Sequence, residues 1–222
     1  MISACITYIV PVLLFWLPHE SKLPLFLLGI YVPAVFFAQY KLIYSDYATT
    51  KRENISILTQ EILRNLHERL SRRLQEHERE QIRVNVMIVK RTWQSKFKPV
   101  LVMAISIPDL SNSPEWDLMF EKRQGCSGTA WDQKRQIFGD LTRIKEEGGS
   151  QWNLTKGMLE ITRNVKAILS TPIMKKWRGV VGVLNIDTLD PSLVEFLRDE
   201  ETREQASEAA QVLAALKIEM LR

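Results

Sequence analysis

Apolar positions are distributed unevenly along the chain. From Met1 to Tyr40 the only formally charged side chains are Glu20 and Lys22, both in the turn Pro18-His19-Glu20-Ser21-Lys22-Leu23-Pro24. The flanking runs, residues 2–17 and 23–40, are almost purely apolar. At 1.5 Å per residue each reaches roughly 24 to 27 Å, slightly less than a hydrocarbon core of about 30 Å. The pattern predicts a two-helix transmembrane hairpin over residues 1–44, either spanning with little tilt or dipping re-entrantly. Pro11 and Pro33 lie mid-run, where each removes a backbone donor; the freed carbonyls need neighbours, which favours packed helices. Lys41, Lys51 and Arg52 follow the second run, against Lys22 alone in the turn. That bias places the remainder of the chain in the cytoplasm, as a multi-pass protein of the cell inner membrane.

Beyond residue 44 the periodicity changes. Ile55, Leu58, Ile62, Leu66 and Leu70 recur at spacings of three and four, predicting an amphipathic connecting helix over residues 45–81. Its stripe needs a partner, either a second copy or the domain that follows. A second stripe, Ala206, Ala210, Leu213, Lys217 and Met220, marks a terminal helix starting near Pro191. Together they predict a homo-oligomer through terminal helices, although packing inside one protomer gives the same pattern. Between them, period-two alternation predicts strands at 82–90 and 99–107 and a later pair at 168–174 and 179–186. Helices are expected at 115–122 and 129–134, and a long polar connection at 142–163. The order implies an α+β fold with an antiparallel sheet over residues 82–222.

Composition narrows the function classes. The formal charge of +4 is spread among interspersed acids and bases, so no nucleic-acid arm is expected, and the basic excess fits contact with membrane lipid. Cys5 and Cys126 fall in separate segments, which argues against a disulfide and against a metal site. All three histidines (His19, His67, His77) precede the sheet, so no catalytic residue is assigned and an enzyme is not expected. The residues name no cofactor.

Two stretches carry a resemblance. Gly125-Cys126-Ser127-Gly128-Thr129-Ala130-Trp131, then Phe138-Gly139-Asp140-Leu141, resembles the glycine-containing loop, short helix and following strand of GAF domains. Ala167 to Ile173, then Gly179-Val180-Val181-Gly182-Val183-Leu184-Asn185-Ile186-Asp187, resembles their closing hairpin, with Gly179 suited to the turn and Gly182 permitting close backbone approach. The resemblance covers residues 52–222. It implies a six-stranded GAF-like antiparallel sheet flanked by helices, with a ligand pocket on one face roofed by elements between the strand pairs. The family's cyclic-GMP constellation and bilin cysteine are absent.

On that basis the candidate ligand-binding residues are Ser127, Thr129, Trp131, Asp140, Arg143, Trp152, Arg163 and Thr171. Trp152 could stack on a planar ligand, and Arg143 or Arg163 could meet a phosphate. The expected function is a membrane-anchored sensor that binds a small molecule, a cyclic-nucleotide messenger being one candidate. The signal would pass to the hairpin, by analogy of layout with membrane-disrupting anti-phage effectors. The alternative is a ligand-free, membrane-tethered GAF dimer acting as a protein-interaction module.

Overall fold

The computed structural model describes residues 23–146 and 152–221, with the backbone alone for 23–32 and 144–146. Two compact units are delimited, residues 1–51 and Arg52–Arg222. The first predicted transmembrane run, 2–17, lies outside the described residues. The second does not stand apart from the connecting helix: both belong to one helix, α1 (Leu23–Ser71), which continues through Pro33. Among the described residues no helix is long and apolar enough to cross a membrane.

Helix α1 stops ten residues before the predicted end. Arg73 and Leu74 close a tighter last turn on Leu70 and Ser71. There the Arg73 guanidinium leaves the helix face to bond Asp199 and Thr202 and to lie over the Phe196 ring. A one-turn helix, α2 (Glu76–Arg79), follows, its Glu78 carboxylate accepting from the Gln75 amide in a capping box.

Six strands form one antiparallel sheet: β1 (Ile82–Arg91), β2 (Pro99–Ile107), β3 (Met119–Phe120), β4 (Ile137–Asp140), β5 (Ala167–Lys175) and β6 (Gly179–Thr188), in the order β3-β2-β1-β6-β5-β4. The α+β class and the six-stranded sheet expected from the resemblance are both present. Residues 115–122, expected as helix, instead make a 3-10 turn (Pro114–Asp117) and the edge strand β3. Pro114 and the Ser113 cap favour a single turn, and Leu118 then goes extended so that Met119 and Phe120 pair with Val102 and Leu101. The next helix, α3 (Gly125–Gln133), begins four residues earlier than expected. The stretch 142–163 is not a bare loop: it contains α4 (Leu141–Glu146) and α5 (Lys156–Ile161). The C-terminal part is α6 (Val194–Arg198) and α7 (Glu200–Ala215).

Both faces of the sheet are covered. On one, Ile82, Val84, Val86 and Ile88 of β1 and Leu184 and Ile186 of β6 pack with Ile55, Leu63, Leu66 and Leu70 of α1 and Ala206, Ala210 and Leu213 of α7. Most of the two apolar stripes legible in the sequence, Leu58 excepted, therefore packs within its own domain. On the other face, Met87, Leu101 and Val183 pack with Cys126, Ala130 and Trp131 of α3. Gly182 is needed at the centre: a Cβ there would lie 2.5 Å from the Met87 carbonyl oxygen.

Candidate functional site

Strand alternation decides what reaches the α3 side of the sheet. Since Ile82, Val84 and Val86 point at the α1 core, Arg83, Asn85 and Met87 must point the other way; on β6, Asn185 and Asp187 do the same. In register, Arg83 lies opposite Asp187 and Asn85 opposite Asn185. Four polar side chains thus meet at the middle of a sheet whose outer surface is roofed by protein. All four are buried.

They are not left unsatisfied. Ser127 on α3 and Ser170 on β5 donate to Asn185 Oδ1 at 3.0 and 2.8 Å. Asn185 Nδ2 donates to Asn85 Oδ1 at 2.9 Å, and Asn85 Nδ2 to Asp187 Oδ2 at 3.1 Å. Arg83 Nε donates to Asp187 Oδ1 at 2.5 Å, and its terminal nitrogens fork onto Glu115 at 2.9 and 3.2 Å. The donors run in one direction, hydroxyl to amide to amide to carboxylate, which polarises the chain toward Asp187. Burial pushes the Asp187 carboxyl up to about 6, against the pull of Arg83 and Asn85. Burial also disfavours the Arg83 charge, but Asp187 and Glu115 together outweigh it and hold the guanidinium above its ordinary range.

Against this network lies a cavity of about 70 Å³ between the sheet and α3. Its apolar wall includes Met87, Met103, Phe120, Leu141, Leu154 and Ile168. A buried water needs about 10 to 15 Å³ on the same scale, so the space suits a molecule of a few heavy atoms. Its charged lining is one guanidinium against two carboxylates.

The roof depends on two glycines. Gly125 opens α3 at φ +62°, and a Cβ on Gly128 would lie 2.1 Å from the Glu121 carbonyl oxygen. This close crossing lets the 121–124 turn fold over the start of α3. Lys134 closes the helix in the left-handed region.

Of the eight residues expected to bind ligand, Ser127 lines the cavity. Thr129 bonds back to the Gly125 carbonyl, and Trp131 is buried in the α3 core with the Lys122 ammonium 5.4 Å from its ring centre. Asp140 caps α4, accepting from the Thr142 amide and hydroxyl and at 3.5 Å from the Arg143 amide. Arg143 and Arg163 are exposed, and Trp152 packs half-buried beside Leu154. Thr171 faces the other side of β5, accepting from Gln136. Cys126 is buried, and burial pushes its thiol far up, which makes it a poor nucleophile.

The residues that build the site are instead Arg83, Asn85, Glu115, Asn185 and Asp187. The signal available for them was polar side chains at alternate positions of strands whose other positions are β-branched. Such alternation ordinarily marks a solvated face, and here that face is roofed. Among the described residues no cluster of His, Cys, Asp and Glu could hold a metal ion.

No protein-family model and no curated protein matches the chain. Among solved structures it is similar to the type II free methionine-R-sulfoxide reductase of Thermoplasma acidophilum (12% identity, 74% of this chain and 97% of that one, TM-score 0.46). It is also similar to the GAF domain of a two-component sensor histidine kinase from Bacillus halodurans (23%, 70% and 95%, TM-score 0.42). A third is the GAF domain/HD domain protein of Geobacter sulfurreducens (14%, 71% and 92%, TM-score 0.44). The expectation that the chain is not an enzyme does not stand: its ground was a domain without histidine, but the unit Arg52–Arg222 contains His67 and His77, and free methionine-R-sulfoxide reductases are among the structures the chain is similar to.

Proposed function

We propose that residues 52–222 form a small-molecule sensing module whose ligand occupies the cavity between α3 and the sheet. The observation that carries this reading is the connected, buried polar network on one wall of an otherwise apolar cavity. Convergent polar groups in an apolar recess are what a specific small-molecule site requires. One cation facing two anions leaves a net negative charge, and Arg83 is committed to both carboxylates. The ligand class is therefore a small neutral or positively charged hydrogen-bond donor with an apolar portion. A nucleotide phosphate would face Asp187 and Glu115.

Membrane attachment through residues 2–17 and 23–40, with the module on the cytoplasmic side, remains part of the proposal and rests on the sequence pattern. Self-association falls to another surface. Phe36, Tyr40, Ile43 and Tyr47, at spacings of four, three and four, are exposed on α1, the spacing that a second copy's helix would match.

The test of the ligand reading is thermal unfolding of the full chain in detergent against a panel of small amines, amides and anions. A neutral or cationic compound should raise the transition, and Ile168→Phe, which fills the cavity, should abolish that rise. Stabilisation by nucleotides alone, unaffected by Ile168→Phe, would remove the proposal.

A further inference from the structure

Two hairpins leave the same end of the sheet. β1 and β6 are antiparallel neighbours with Ile88 opposite Gly182, so the β1–β2 turn (residues 92–98) and the β5–β6 turn (176–178) emerge beside each other. By strand spacing their centres are about 10 Å apart. Each presents a tryptophan to solvent: Trp93 is 81% exposed and Trp177 88%. Phe97 on the first turn and Met174 beside the second are exposed as well.

The charge around them has one sign. Residues 90–99 and 174–179 contain seven lysines and arginines and no acidic residue. Glu219 reaches in from outside to pair with Lys175 and Arg178, while Arg91, Lys96, Lys98 and Lys176 stay exposed. Lys176 lies over the Trp177 ring at 5.4 Å.

The first turn is built rather than loose. Ser95 Oγ donates to the Thr92 and Lys98 carbonyls, and the Lys96 and Phe97 amides bond back to Trp93 and Thr92 at 2.9 Å. Lys96 and Phe97 both adopt the left-handed region, φ +52° and +61°, which side chains other than glycine enter only at a cost. That backbone holds Phe97 edge-on to Trp93, ring centres 5.4 Å apart. Both rings stay largely in water, in contact with each other and outside the two hydrophobic clusters of the domain.

We propose that these two tips form a docking surface for an anionic lipid bilayer. The two indoles enter the headgroup layer, and the surrounding lysines and arginines meet lipid phosphates. Indoles belong at that interface because one edge is apolar and the other carries an N–H, and clustered cations are drawn to anionic leaflets. A nucleic acid is disfavoured by shape: its backbone needs a continuous groove with stacking platforms, and two projecting tips offer none. The surface is separate from the α3 cavity and stands whatever that cavity binds.

The test uses the full chain carrying Cys5→Ser, reconstituted in vesicles, with an environment-sensitive dye on Gln94→Cys in the first turn. A control dye sits on Asp109→Cys, just past the far end of β2. With about 30% phosphatidylglycerol the Gln94 dye should shift to the blue, and with phosphatidylcholine alone it should not; the Asp109 dye should be unchanged in both. Reversing Lys96, Lys98, Lys176 and Arg178 to glutamate should weaken the response about tenfold or more. Equal responses in the two lipids, no response, or a response given by a single-stranded oligonucleotide and not by vesicles would each overturn the proposal.

Discussion

Arg83 and Asp187 face each other directly across β1 and β6, joined at 2.5 Å and both buried, with Glu115 held on the far side of the same guanidinium. Removing one partner of such a group leaves charge buried without compensation, which typically costs about 3 to 5 kcal/mol. Arg83→Met should therefore lower the unfolding free energy by about that amount at pH 7, measured by urea titration.

The pH dependence has a defined sign. The Asp187 carboxyl is raised in the folded chain from 3.8 to about 6. The folded state thus holds a proton that the unfolded state has already released. Its contribution to stability is complete below about pH 4 and is lost as pH rises through 6. Asp187→Asn should remove this component of the decline, seen in unfolding curves at pH 4, 5, 6 and 7. The advantage of wild type over Asp187→Asn should shrink as pH rises from 4 to 7, and an advantage that grew over that range would contradict the assignment.

The same titration bears on binding. A cationic ligand in the cavity needs the ionised carboxylate, so its affinity should strengthen as pH rises through about 6 and then level off. Calorimetry at pH 5 and 7.5 on wild type and on Asp187→Asn would show the dependence in the first and not in the second.

Gly182 lies opposite Ile88 across β1 and β6, and a methyl group there would meet the Met87 carbonyl oxygen at 2.5 Å. Backbone cannot yield as a flexible side chain would. Gly182→Ala should cost about 1 to 3 kcal/mol or more. Gly157, where an added methyl group would find nothing within 4 Å, is the matched control and should tolerate alanine.

Leu63 and Leu70 on α1 are fully buried against the sheet. Leu63→Ala should destabilise residues 52–222 by about 2 to 5 kcal/mol, whereas Leu58→Ala, at a half-exposed position, should change stability little. Equal effects would mean that α1 does not belong to the domain core. For the self-association surface, Ile43→Cys should give disulfide-linked dimers in membranes and Ser45→Cys, about 200° around the helix from it, should not.

Much of this architecture is legible in the chain. The four long strands and the closing hairpin can be read because β-branched residues recur at alternate positions, and Gly179 and Gly182 can be read because a turn and a close approach each exclude a Cβ. The ends of elements are less legible. α1 stops at Ser71 because Arg73 is drawn to Asp199, a contact between residues 126 apart in sequence, and local periodicity carries no trace of it. The site itself is hidden for a related reason. Arg83 and Asn85 have the spacing of a solvated strand face, and only the position of α3 and the 114–124 segment over them turns that face into an interior. Ser127 is identifiable because it lies between Gly125 and Gly128 in the glycine-containing segment that begins α3.

The sheet also has a property that follows from its being covered on both sides. Along β1 and β6, the residues that wire the cavity (Arg83, Asn85, Asn185, Asp187) alternate with those that seat α1 (Val84, Val86, Leu184, Ile186). The partition between them is a single layer of backbone. The amides that wire the cavity and the side chains on which α1 rests are therefore carried by the same two strands, one residue apart, with nothing but their shared backbone between the two faces.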